Sequence, residues 1–128
     1  MNQGLPGFRS SGAIVQYRIV RLAGTDLVAQ ASAATDTLLS VAKVGTAATV
    51  GGVNNQHIDL ADIGEVIFCE AGAAIAVGAR ITADALGRGV PAAPAVGVNN
   101  SVIGIALQPV AAAGSVFRLL ITPQVLQG

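Results

Sequence analysis

The apolar positions fall into short runs, separated by Gly, Pro, Asn or Asp about every 8–12 residues. From Ile14 the chain reads IVQYRIVRLAG, a β-branched run interrupted by polar residues and ended at Gly24, which predicts a strand. Its alternation slips at Ile19-Val20, where a bulge or a strand covered on both faces is expected. Further strands are predicted over 27–31 and 38–44, with a turn around Thr35-Asp36 and another after Gly51-Gly52 at Asn54-Asn55. In GEVIFCEAG the apolar residues are consecutive, so both faces of that strand should be covered. Residues 80–83 and 89–92 flank a turn over 84–87, with Gly87 suited to positive φ: a hairpin. The last strands are predicted over 102–107, ended by Pro109, and over 115–122, stopped by Pro123.

Ala-rich stretches at 29–34, 71–76 and 111–113 have helical propensity, but Gly and β-branched neighbours work against long helices. At most one short helix is expected, near 57–63. The pattern thus predicts an all-β fold, a small Gly/Ala-rich β-barrel or β-sandwich. Residues 14–128 are expected to form a single β-rich domain. Residues 1–13 read as an extended N-terminal arm whose only large apolar groups are Leu5 and Phe8.

Composition narrows the function. The 128 residues are 52% hydrophobic but only 3% aromatic and 11% charged, with seven basic and seven acidic side chains and 16 Gly. So apolar a chain is a poor disordered tail. With no basic excess and few aromatics it is a poor nucleic-acid binder, and no nucleic-acid partner is expected. Pro91, Pro94, Asn99, Asn100 and Pro109 interrupt the longest uncharged stretch, so no membrane partner is expected. The N-terminus shows no basic segment followed by an apolar core, so no secretory signal is expected. A nearly uncharged surface favours association and suggests that partners cover part of it.

Little in the sequence suggests catalysis. The single Cys, Cys69, lies in an apolar run and reads as a buried, inert thiol. His57 and Asp59 are spaced to share a strand face, but no nucleophile motif accompanies them. Asp26, Asp36, Asp62 and Asp84 lie beside Gly, Thr or Ala at turns, where carboxylates bind backbone N–H groups. Metal-ligand spacing and a phosphate loop are both absent from the sequence. Lys43, the only lysine, lacks the preceding Asp or Met of a biotin or lipoate carrier hairpin. No enzyme activity, cofactor or metal is expected.

One resemblance is informative. Gly78 to Val90, Val102 to Ala106 and Ala112 to Ile121 follow, in order and spacing, motifs of the capsid decoration (cement) proteins of tailed bacteriophages. With RIVRLAGTDLVAQASAATDTLLSVA upstream, the chain resembles that family over roughly residues 18 to 122. The resemblance implies a structural virion protein, made in the host bacterial cytoplasm, that binds the major capsid protein on the outer capsid surface and cements the mature lattice. It also implies a homotrimer at threefold or local threefold axes. Apolar strand faces near Val66 to Phe68 or Val116 to Ile121 would contribute to its contacts. Leu5, Phe8 and Arg9 are the arm residues expected to hold a partner. The alternative is another self-assembling phage β-protein, a tail-tube or head–tail joining subunit, which would form sixfold or twelvefold rings.

Overall fold

The computed structural model describes residues 8–43 and 56–128. Its strands are β1 (Arg9–Ser10), β2 (Ile19–Gly24), β3 (Leu27–Gln30), β4 (Leu38–Val41), β5 (Gln56–His57), β6 (Val66–Glu70), β7 (Arg80–Ala83), β8 (Gly89–Pro91), β9 (Asn99–Ala106) and β10 (Val116–Gln127). They form two five-stranded sheets, ordered β4-β2-β3-β1-β5 and β6-β10-β9-β7-β8. None of the described residues is helical. The result is the all-β, sandwich-like architecture expected from the pattern, and the described strands do not close into a barrel.

Adjacent β2 residues face opposite sides, and both sides are covered. Ile19 enters a cluster with Leu38 and Val41 of the first sheet and Ile81, Phe117, Leu119 and Ile121 of the second. Val20 enters a separate cluster with Ile14, Val28, Ala42, Ile58 and Leu60, against which Phe8 and Leu39 pack. Double coverage is therefore why alternation fails at Ile19-Val20, and the register against β4 also shifts between Val20 and Arg21. Aliphatic side chains supply most of this burial, each contributing about 1.5–3 kcal/mol when fully covered.

The turn between β7 and β8 locks the sheets together. Asp84 Oδ1 accepts the N–H groups of Leu86 and Arg88, each at 2.9 Å, closing the turn. The Gly87 carbonyl then accepts the Ile19 N–H at 2.8 Å. Leu86 O accepts Arg18 Nη1 and Gln30 Nε2, each at 2.8 Å. Arg18 also reaches Glu70 on β6, at 3.2 Å. Gly87 has φ 75°, and a Cβ there would meet Gln30 Cγ at 2.8 Å and the Ala31 carbonyl at 3.1 Å. Glycine is required both for the turn and for this close approach.

Several boundaries differ from the pattern's forecast. The first long strand begins at Ile19, because Tyr17 takes φ 65° and interrupts the extended run that opens at Ile14. β10 continues beyond Pro123 to Gln127; its register against β9 shifts between Ile121 and Gln124, so pairing passes over the residue without an N–H. The forecast of a short helix near 57–63 gives way to β5 and an isolated bridge from Leu60 to Ala42. The sheet also reaches into the stretch read as an arm. Arg9 and Ser10 form β1, parallel to β3 and antiparallel to β5. The turn expected at 51–55 lies outside the described residues.

Gly104 faces Ile121 across the β9–β10 ladder, and a Cβ at 104 would fall on the carbonyl of Leu120. Gly104→Ala should therefore destabilise the domain by about 3 kcal/mol, the upper range for overpacking. Urea unfolding monitored by far-UV circular dichroism checks this as a lower midpoint at unchanged slope.

Candidate interaction surface

Several of the residues with catalytic potential are engaged structurally. Cys69 is fully buried, and burial is the main cause that pushes its thiol up to about 12. Asp36 Oδ2 accepts the N–H groups of Ser32 and Ala33, and Asp62 Oδ1 accepts that of Ile63, as expected of turn carboxylates. Asp26 sits in the β2–β3 turn at φ 57°. Lys43 Nζ lies 2.8 Å from Glu65 Oε2. His57 pairs with Arg9 through its β5 backbone, and its side chain lies outside the described residues. Asp59 is exposed just beyond that strand. Among the described residues, no group of three or more His, Cys, Asp or Glu is clustered as metal ligands would be. A shallow cleft of about 350 Å³ between β4 and the bulged part of β10 is lined by Leu38, Ser101, Val102 and Pro123 among others, with no titratable side chain.

The three arm residues are placed differently from one another. Leu5 lies outside the described residues. Phe8 is half-buried against its own domain, on the cluster of Ile14, Val20 and Val28. Arg9 is exposed, and its N–H donates to Asp26 O at 2.9 Å.

The outward face of β6 and β10 is a stronger candidate surface. Cross-strand partners share a face, so Val66 with Leu120, Phe68 with Arg118 and Glu70 with Val116 lie together. The rows continue through Ile105, opposite Leu120, to Arg80 on β7. Val66, Phe68 and Val116 are 47%, 44% and 48% exposed, which corrects the forecast that both faces of β6 would be covered. The inward face is covered, by Cys69, Phe117 and Leu119. Tyr17 meets Phe68 edge-on at 5.9 Å between ring centres and extends the apolar surface.

The cations of the domain are unevenly paired. Arg18, Arg21, Lys43 and Arg88 are each ion-paired, at 3.2, 3.8, 2.8 and 3.0 Å respectively. Arg80 and Arg118 have no carboxylate partner among the described residues, and both stand on this apolar face. Sequence reading identified the apolar run but not these cations. Their signal, two arginines each a strand-register away from exposed aliphatics, becomes visible only once β10 is paired with β6 and β9.

The architecture is a two-sheet β fold, antiparallel except for the short β1–β3 pair. It is similar to the crystal structure of the head fiber gp8.5 N base of bacteriophage phi29, with a TM-score of 0.65, 21% sequence identity and 90% of each chain covered. The likeness is one of fold. No protein-family model and no curated protein matches the sequence.

Two outcomes follow from these placements. Phe8→Ala should destabilise the isolated domain by about 1–3 kcal/mol, because its ring packs on the domain's own cluster; thermal unfolding measures this. Glu65 should contribute to acid sensitivity. Burial, the largest single cause, raises its pKa, but the Asp62 N–H and the Lys43 ammonium together outweigh it and hold the group below its ordinary 4.5. A depressed carboxylate stabilises the fold above its unfolded pKa, and that contribution is lost as pH falls through the folded value. Glu65→Gln should therefore flatten the stability-against-pH curve below about 4.5, measured by urea midpoints across that range.

Proposed function

We propose that this chain is a structural protein of a tailed-phage head, bound to the outside of the shell, where it cements the mature lattice. The observation that carries the reading is the fold it shares along 90% of its length with the head fiber base of phage phi29. The order of the Gly78–Val90, Val102–Ala106 and Ala112–Ile121 motifs supports the same class independently. Physical features agree with a binding rather than a catalytic role. The exposed apolar face on β6 and β10 suits contact with another protein, and the turn carboxylates are engaged in backbone bonds.

The mechanism is mass action. A ligand that binds only the mature shell stabilises it by RT ln(1 + [L]/Kd) at each site, so occupancy converts directly into resistance to expansion and rupture. Assembly as a homotrimer at threefold or local threefold positions would raise the effective concentration of each further contact, and modest contacts per subunit would then suffice. The partners are the major capsid protein and further copies of this chain.

The test is cryo-electron microscopy of mature heads purified with and without the chain, combined with their thermal rupture temperature. The expected result is density on the outer surface at threefold positions, with rupture shifted upward when the chain is bound. Density in a sixfold or twelvefold ring at the tail axis, or no change in rupture, would overturn the reading.

A further inference from the structure

Among the described residues β6 is an edge strand, and its edge is open. In the ladder with β10, the Ala71 N–H donates to Ser115 O and the Ile121 N–H donates to Glu65 O. This register directs the backbone groups of Glu65, Ile67, Cys69 and Ala71 toward β10 and those of Val66, Phe68 and Glu70 away from it. Tyr17 O accepts the Glu70 N–H and closes that end. The N–H and C=O groups of Val66 and Phe68 have no partner among the described residues. An open strand edge beside exposed Val66 and Phe68 side chains is a template for another strand.

Charge identifies the kind of strand. Arg118 stands directly beside Phe68 on the outward face, and Arg80 lies further along the adjoining row. The nearest carboxylate on that face, Glu70, is already held by Arg18 at 3.2 Å. A strand added to β6 would lie about 10 Å from β10, two strand spacings. Extended Arg and Glu side chains together span that gap over the Phe68 ring. A second copy adding its own β6 would offer Arg118 only a Glu70 that Arg18 already holds, and would leave the two β10 strands three spacings apart, so it does not supply the missing carboxylate.

We propose that the open edge of β6, with the outward face it shares with β10, docks an extended, carboxylate-bearing protein segment. The segment adds a strand beside Val66 and Phe68 and sets an acidic side chain toward Arg118. Main-chain bonds supply affinity, and the acidic residue supplies specificity. The inference rests on the head-protein reading for the partner's identity: the segment belongs to the shell protein.

The experiment has two arms on the full chain. In the first, a short synthetic peptide alternating Val and Glu is titrated calorimetrically, with counterparts carrying Lys or Gln in place of Glu, and the amide resonances of Val66 and Phe68 are followed. The Glu peptide should bind about tenfold more tightly than the Lys peptide, and Arg118→Glu should reverse that order. Shifts should concentrate on Val66 and Phe68. Val66→Pro, which removes an N–H that β10 does not use, should abolish binding with the far-UV spectrum unchanged. Equal affinity for all three peptides, or shifts elsewhere, would overturn the docking site. So would self-association in light scattering that Arg118→Glu abolishes, because a second copy would then be the occupant. In the second arm, wild-type chain and Arg118→Glu are added to heads lacking the protein. Loss of occupancy by the variant alone supports the site. Normal occupancy by the variant overturns it and leaves the head-protein reading standing. Heads that reject even the wild type, while the peptide arm succeeds, overturn the reading but not the surface.

Discussion

The fold depends on one joint, the insertion of the β7–β8 turn into the start of β2. Neither sheet is self-sufficient there. The Ile19 N–H finds its acceptor on Gly87, a residue of the other sheet's hairpin, and an unpaired backbone donor at so buried a position would cost roughly 1–3 kcal/mol. Arg18 extends the joint by tying Leu86 O to Glu70, so that a single side chain spans β2's approach, the turn and β6. The bonds are charge-assisted at Glu70 and geometrically fixed at the carbonyl, which is the use to which an arginine fork is best suited. The engagement of Glu70 on the outward β6–β10 face follows from this joint.

The local signals of the sequence translate well into structure, and the long-range ones do not. The β7–β8 hairpin was legible because Asp84 and Gly87 specify a turn chemically, through side-chain bonds to N–H groups and a positive φ. Cys69 was legible as a buried thiol from its apolar neighbours. The Ile14–Arg18 segment was not, because the Tyr17 turn depends on a bond to Glu70 more than fifty residues away. Pro123 read as a stop because sequence alone does not show that β10 can resume pairing after a register shift. Phe8 and Arg9 read as arm residues because β1 is only two residues long and is defined entirely by neighbours on β3 and β5.

The exposed face illustrates a more general ambiguity. Consecutive apolar residues in a strand report that both faces prefer to be dry, not which molecule dries them. On β6 the inward side is met by Phe117 and Leu119 of the same chain, while Val66 and Phe68 on the outward side remain accessible. The electroneutral composition hid a further feature. Arg18, Arg21, Lys43 and Arg88 pair internally, whereas Arg80 and Arg118 share one face, so zero net charge coexists with a local positive field.

β10 carries a mechanical consequence. It is the longest strand among the described residues, and it lies between β6, which pairs with it over Val116–Leu120, and β9, which pairs with it from Leu119 to Gln127. A load applied along its axis acts in shear, stressing many of the bonds of both ladders together instead of opening them one after another as peeling an edge strand would. Resistance to such a load is a matter of how slowly the domain yields rather than of its equilibrium stability. A domain whose central strand passes from one ladder into the other is thus suited to carry tension along β10 from the β6 edge to the β9 side.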